Sequence, residues 1–131
     1  MANKYKKHEF WPEDLFERQR ADAGLDFNAT TVRPGISTAL REIVVGPGFF
    51  GAPAPTEERK VELIKQQYET LEKIGKWLEG KTFIGGEKIT LPDFQVFNEI
   101  NEVMFLMNFE ITRNEVVNAW FQRLLENEIF A

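Results

Sequence analysis

Residues 83–107, FIGGEKITLPDFQVFNEINEVMFLM, combine a glycine turn with a clearly marked helix start. Thr90 is a favourable N-cap, because its hydroxyl can accept a hydrogen bond from a free backbone N–H one turn later. Asp93 lies three residues on, where its carboxylate can bond back to the N-cap N–H. Pro92 suits the first turn, where no intrahelical N–H is lost. The stretch therefore predicts a structural capping box made by Thr90 and Asp93.

The helix that follows this start is apolar over a wide stripe. Apolar side chains recur at steps of three and four, and the stripe is Phe94, Phe97, Ile100, Met104 and Met107, flanked by Val96 and Val103. A stripe this wide predicts a helix that packs on several neighbours and forms the core of the domain. Its polar residues, including Glu99 and Glu102, are expected to face solvent.

The chain before residue 50 predicts two helical segments. Trp11–Asp14 is interpreted as a helix start, and the residues that follow at helical spacing form a semi-polar face, namely Phe16, Arg20, Ala23, Phe27 and Thr30. Such a face lines a cleft or subunit contact, or is solvated. Arg33-Pro34-Gly35 predicts a kink or break, because proline removes a backbone bond and clashes with the preceding turn. The pattern resumes at Ile36 and stops at Gly46-Pro47-Gly48.

Two further amphipathic patterns complete the chain. Thr56 begins a long helix that ends at Gly80, and its predicted stripe is Val61, Ile64, Tyr68, Leu71, Ile74 and Leu78. The last helix has the stripe Val116, Val117, Trp120, Phe121, Leu124 and Leu125. No alternating run rich in β-branched residues is present. The predicted fold class is therefore all-α, a helical bundle of about five helices.

Phe49 and Phe50 lie in a loop rich in glycine and proline, GPGFFGAPAP. They are either tucked under this loop or part of a contact surface. The first interpretation is preferred, because isolated apolar residues in loops usually fold back.

Composition excludes several kinds of function. The chain has 131 residues, which suits one domain, and a formal net charge of −5, which does not indicate a nucleic-acid partner. It contains no cysteine, which removes disulfides and thiolate chemistry, and a single histidine, His8, so no metal site is predicted. No apolar run approaches the length of a membrane span. A cytoplasmic or other reducing intracellular location is compatible with these features.

The order of these features resembles the all-helical C-terminal domain of cytosolic glutathione transferases. The resemblance rests on residues 71–100, with a long helix, a Gly-containing turn and the capping box of a core helix. Within the family, residues 11–35 look most like the theta class. The positions that carry this likeness are Trp11, Pro12, Asp14, Arg20, Asp22, Phe27, Thr30 and Arg33. Residues 1–10 then resemble a tail from the end of a missing upstream domain, and residues 11–131 the helical domain.

The resemblance implies that this chain corresponds to one of the two domains of a glutathione transferase. A glutathione transferase also has a thioredoxin-like domain, which binds the cosubstrate glutathione and supplies the group that stabilises its thiolate. The sequence has no βαβ pattern and no candidate for that group. It also lacks a nucleophile, base and orienting group of another catalytic kind. We expect no catalytic residue and no cofactor bound by this chain alone.

Arg33 is the charged residue for which the resemblance implies a role in the pocket. In the theta class the matching arginine points into the electrophile pocket, where a fixed positive group can stabilise a leaving anion. Phe27, Thr30 and Trp120 would be its substrate-pocket neighbours. Alternatively, Arg33 is an exposed or intrachain-paired side chain beside a helix break.

The sequence is compatible with two functions. The chain is either the electrophile-pocket and subunit-contact half of a theta-like transferase, or a stand-alone interaction module that scaffolds a homo-oligomer or a larger assembly. The first predicts that the face of Phe27, Thr30 and Arg33 is open and concave. The second predicts that the first helix and the Phe49-Phe50 loop are buried against another protein. The initial Met-Ala favours a chain that begins here.

Overall fold

The computed structural model describes residues 14–127, which are mainly helical. The first helical run comprises α1 (Leu15–Phe27), the π-helical segment π1 (Asn28–Ser37), α2 (Thr38–Leu40), a second π segment (Arg41–Val45) and α3 (Gly46–Phe49). The later elements are α4 (Glu57–Leu78), α5 (Leu91–Met107), a 3-10 turn (Ile111–Arg113) and α6 (Glu115–Leu125). With residues 15–49 counted as one run, the described chain has four helices and no strand. The predicted all-α bundle is confirmed, with one helix fewer than expected.

The expected interruption at Pro34 takes the form of a change in helix type. Pro34 lies inside π1, and the chain stays helical through it. The ring of a proline clashes with the carbonyl four residues earlier in an α-helix, and the wider π turn relieves this clash. The pattern is predicted to stop at Gly46-Pro47-Gly48, whereas α3 includes these three residues and ends at Phe49. Pro47 lies in the first turn of α3, where its missing N–H is not needed.

The helix start predicted at Trp11–Asp14 lies partly outside the described residues. Within them, α1 begins at Leu15, and Asp14 is its N-cap. The Asp14 carboxylate accepts a hydrogen bond of 3.0 Å from the backbone N–H of Glu17. The acidic residue thus satisfies a free N–H group at the positive end of the helix.

The predicted core helix is confirmed as α5. Its buried residues include Val96, Phe97, Ile100 and Val103, and they pack into one cluster with apolar side chains from the first helical run, α4 and α6. The predicted outer members of the stripe, Phe94, Met104 and Met107, are only partly buried. None of the helices in residues 14–127 is both long and apolar enough to cross a bilayer.

The predicted stripe of α4 is correct only in its C-terminal half. Leu71, Ile74 and Leu78 are buried as expected, whereas Val61 is 67% exposed and Ile64 is 42% exposed. The N-terminal half turns a different face inward, made by Leu63, Gln67 and Thr70. Gln67 is accommodated because its side-chain amide donates a 3.0 Å hydrogen bond to the carbonyl of Ile36.

The close packing of the first helical run depends on two glycines. A Cβ on Gly24 in α1 would lie 2.8 Å from the ring of Pro92 in α5. A Cβ on Gly35 in π1 would overlap the side chain of Thr70 in α4, whose Cβ it would approach to 2.8 Å. The run therefore contacts α5 and α4 at distances that only a residue without a side chain permits.

The predicted C-terminal end of α4 is confirmed, and the preferred interpretation of the phenylalanine loop is wrong. Gly80 follows the last turn of α4 with φ of 73°, the left-handed conformation that glycine adopts without cost. Phe49 and Phe50 are 78% and 79% exposed. No other part of the described chain covers these two rings.

Candidate functional site

At the start of α5 the Asp93 half of the predicted capping box is present and forms part of a buried junction, whereas the Thr90 hydroxyl has no hydrogen-bond partner among the described residues. Asp93 is fully buried. One carboxylate oxygen accepts the backbone N–H of Ile84 and the indole N–H of Trp120, each at 2.9 Å. The other oxygen accepts the backbone N–H of Thr90 at 2.9 Å. One side chain thus joins the loop before α5, the start of α5 and the buried face of α6.

Burial raises the pKa of Asp93 above its usual range, and the three N–H donors around it oppose the shift. A raised pKa means that the folded state binds a proton more readily than the unfolded chain does. The part of the free energy of unfolding that depends on the ionisation of Asp93 is therefore largest at low pH, and it falls as pH rises towards the folded-state pKa. The closed surroundings of Asp93 favour a structural role over a catalytic one.

A second polar cluster lies between π1 and α5 and contains Arg33. The Nε–H of Arg33 donates a 3.0 Å hydrogen bond to one carboxylate oxygen of Glu99. The hydroxyl of Ser37 donates to the other oxygen of the same carboxylate. Glu99 and Ser37 are buried, whereas the Arg33 side chain is 67% exposed. The cluster therefore places a guanidinium at the surface and attaches it to a carboxylate in the interior.

The π geometry explains how two side chains of π1 meet two side chains of α5. Asn28 donates a 3.0 Å hydrogen bond to the side-chain oxygen of Gln95, and Arg33 reaches Glu99. Asn28 and Arg33 are five residues apart in π1, whereas Gln95 and Glu99 are four residues apart in α5. Because a π turn contains more residues than an α turn, residues five apart can face partners one α turn apart. The unusual helix type thus aligns Arg33 with Glu99.

The expectation that Glu99 faces solvent is wrong. Glu99 is only 9% exposed, because the polar side chains of π1 cover this face of α5. Glu102, one turn later, is exposed as expected. No local sequence signal indicates this burial, because the residues that bind the carboxylate, Arg33 and Ser37, lie more than 60 residues earlier.

The four predicted pocket residues have different surroundings. Phe27 stacks on Trp77, with ring centroids 4.4 Å apart, and Trp120 is completely buried beside Asp93. The Thr30 hydroxyl donates to the carbonyl of Asp26 at 2.7 Å, and Thr30 lines a polar groove of about 200 Å³ between π1 and α4. Arg33 instead points to α5, where it is exposed and paired with Glu99 of the same chain, as the alternative interpretation of this residue predicts. The structure does not bring the four side chains to one described cavity, and their shared pocket stays a prediction.

The chemistry available to the described residues is binding and electrostatic stabilisation. Arg33 pairs with Glu99 through Nε, and an exposed guanidinium held in one place can stabilise a neighbouring anion. Among residues 14–127, no group of three or more histidine, cysteine or acidic side chains is arranged to hold a metal ion.

Comparison with known families matches most of the chain to one domain family. The family model described as "Glutathione S-transferase, C-terminal domain" matches residues 32–128, which include Arg33, Ser37 and the Asp93 junction. The chain belongs to this glutathione S-transferase C-terminal domain family. The predicted resemblance to the C-terminal domain of glutathione transferases is thereby confirmed.

Curated relatives of this chain include glutathione S-transferases named as theta proteins. The chain is 31% identical to human glutathione S-transferase theta-1 over 101 residues, which cover 76% of the chain and 42% of the human protein. It is 32% identical to the Mus musculus theta-1 protein over 125 residues, which cover 95% of the chain and 52% of that protein. The chain therefore spans about half the length of the curated relatives that it matches.

Solved structures support the same fold for this glutathione S-transferase C-terminal domain. A mutant of human glutathione-S-transferase T1-1 in its apo form superposes with a TM-score of 0.83 and 27% identity, over 95% of the chain and 53% of that protein. A glutathione S-transferase from Pseudomonas fluorescens superposes with a TM-score of 0.71 and 22% identity, over 92% of the chain and 57% of that protein. The second likeness concerns the fold alone.

Proposed function

We propose that this chain is the electrophile-pocket and subunit-contact half of a theta-like glutathione transferase. In this proposal the reaction joins glutathione to a small hydrophobic electrophile that releases an anion. Catalysis requires a thioredoxin-like half, on the same or another chain, which binds glutathione and activates its thiol. The helical chain alone binds no cofactor and is not catalytic.

The single observation that carries the proposal is the arrangement of Arg33. An exposed guanidinium normally pairs weakly and is free to move, because water screens its charge. Arg33 is 67% exposed and yet is attached to a carboxylate that is 11% exposed in its side chain. A surface cation with a buried anchor suits the stabilisation of charge on a leaving group.

We expect the activity to appear only when both halves are present and to depend on Arg33. The chain is mixed with a separately expressed thioredoxin-like half of a theta-class relative, and release of halide from a small alkyl halide is followed with glutathione present. Arg33→Ala should lower kcat/KM by roughly 100-fold, the usual effect of removing one group that stabilises transition-state charge.

Arg113→Ala is the matched control for this experiment. The Arg113 side chain is 55% exposed and pairs with Glu110 at 3.1 Å, so it resembles Arg33 in exposure, but its partner is 60% exposed and it lies in the 3-10 turn. Its replacement should leave turnover unchanged. Turnover by the helical chain alone, or equal losses in the two variants, would contradict the proposal.

The exposed phenylalanine pair favours a second candidate function, a stand-alone interaction module. Phe49 and Phe50 are neighbours in sequence, and each is more than three quarters exposed. Large exposed apolar side chains mark contact surfaces when they occur together. In this alternative the chain scaffolds a homo-oligomer or a larger assembly through these side chains.

A change of both phenylalanines tests this alternative. If the pair forms a contact between copies, Phe49→Ser with Phe50→Ser should reduce the mass measured by light scattering to that of one chain. Phe105→Ser is the matched control, because Phe105 is 84% exposed but lies on α5. If the double variant keeps the mass of the original oligomer, Phe49 and Phe50 do not form the contact between copies.

A further inference from the structure

The carboxylate of Glu99 is held at both of its oxygens. One oxygen accepts the Nε–H of Arg33 at 3.0 Å, and the other accepts the hydroxyl of Ser37. Rotation of the carboxylate would break at least one of these bonds. Because Glu99 is only 9% exposed, water cannot easily replace the lost partner. Glu99 therefore offers Arg33 a fixed acceptor.

The backbone around this acceptor is fixed as well. Asn28, one π turn before Arg33, is 4% exposed and donates to Gln95, one α turn before Glu99. Gly35 holds π1 against Thr70 of α4 on another side. The segment that carries Arg33 is thus attached to two helices, and its register on α5 cannot slip by one residue without loss of both polar pairs.

The bond to Glu99 uses only one of the five N–H donors of the guanidinium. A guanidinium is planar, so attachment through Nε also sets the directions of the four remaining N–H groups on the two terminal nitrogens. These groups belong to a side chain that is 67% exposed. The attachment thus orients the part of Arg33 that a ligand can reach.

We propose that Glu99, supported by Ser37, is a positioning residue that orients the Arg33 guanidinium for charge stabilisation in the electrophile pocket. This inference rests on the proposed function. Glu99 itself touches neither substrate nor glutathione and acts only through Arg33. Its negative charge lowers the net charge of the pair, so the gain that it gives lies in orientation.

The first test is made on the full chain alone and does not depend on any activity. The exchange rate of the Arg33 Nε–H with solvent is measured by heteronuclear NMR in the original chain, Glu99→Gln, Ser37→Ala and Glu102→Gln. We expect exchange to be faster by about tenfold in Glu99→Gln and less so in Ser37→Ala, since a neutral acceptor binds a guanidinium more weakly than a carboxylate does. Glu102→Gln, an exposed change on the same helix, should have no effect.

The second test uses the chain mixed with a theta-class thioredoxin-like half. Glu99→Gln should lower kcat by about tenfold, with the KM for glutathione unchanged, because misplacement of a charge-stabilising group affects the transition state more than the bound substrate. Glu99→Asp is not expected to restore the rate, because its shorter side chain cannot hold both Arg33 and Ser37. If Glu99→Gln does not fold, Ser37→Ala tests the same positioning role, and the expected loss of kcat is smaller.

The outcomes separate this inference from the proposed function. Unchanged Nε–H exchange in both Glu99→Gln and Ser37→Ala overturns the positioning role directly. Unchanged kcat in Glu99→Gln, where Arg33→Ala lowers kcat/KM by roughly 100-fold, overturns the positioning role while the proposed function stands. An active mixture that tolerates Arg33→Ala overturns both.

Discussion

Replacement of Asp93 by asparagine should lower the free energy of unfolding by about 3 kcal/mol, the upper part of the range for a buried donor left unpaired. The carboxylate presents two acceptor oxygens to three N–H groups, those of Thr90, Ile84 and Trp120. An asparagine has one acceptor oxygen, and its NH₂ group would face another N–H. Because the site is fully buried, no water can accept from the group left over.

Urea unfolding followed by far-UV circular dichroism measures this loss. Asp14→Asn is the matched control, since Asp14 caps α1 at the surface and asparagine caps a helix about as well as aspartate. The control should change the free energy of unfolding by less than about 0.5 kcal/mol. Equal effects of the two substitutions would show that the Asp93 junction contributes nothing beyond an ordinary helix cap.

Gly35→Ala should lower the free energy of unfolding by about 2 kcal/mol, as expected when a close-packed site is overfilled. The new methyl group would overlap the hydroxyl of Thr70 and lie 2.8 Å from its Cβ. That hydroxyl bonds to the carbonyl of Gln66 at 2.8 Å, so it cannot move away without losing a partner. The helices π1 and α4 would have to separate instead.

Gly48→Ala serves as the control, and it should raise the free energy of unfolding instead of lowering it. A Cβ on Gly48 would meet nothing within 4 Å, and the position is helical. Alanine there should stabilise the protein by roughly 0.5 kcal/mol, because it reduces the freedom of the unfolded chain. Addition of Thr70→Ala to Gly35→Ala should recover part of the loss, measured by a double-mutant cycle. A stabilised Gly35→Ala variant would contradict the close approach of the two helices.

The sequence predicted the fold because its strongest signals are local. The Thr90–Asp93 cap, the left-handed glycine at Gly80 and the apolar row of α5 each depend on residues within one or two turns. Such signals do not require knowledge of the partner helix. The same is true of the Thr56 cap, which accepts the N–H of Arg59 at 3.2 Å in the structure.

The candidate site was harder to predict because it depends on pairs distant in sequence. Glu99 is buried only because Arg33 and Ser37, more than 60 residues earlier, cover it and satisfy its oxygens. A helical pattern that is considered alone assigns such a carboxylate to solvent. The π geometry of residues 28–37 likewise has no established sequence signal, and it determines which side chains of the first helical run meet α5.

The exposed apolar residues could not be predicted from periodicity either. Val61 and Ile64 continue the stripe of α4 in sequence, but the inward face of this half of α4 is made by Leu63, Gln67 and Thr70. Gln67 takes an inward position because a backbone carbonyl of the first helical run is available to it. Phe49 and Phe50 show that an apolar loop residue is not always covered by its own chain.

Isothermal titration of glutathione into the purified chain, alone and then with an equimolar theta-class thioredoxin-like half, tests the central claim most directly. Light scattering on the same samples gives the mass of each species. The claim predicts no heat of binding with the chain alone and saturable binding once the second half is present and associated. Saturable binding of glutathione to the chain alone would contradict the assignment of this chain as a half that depends on its partner.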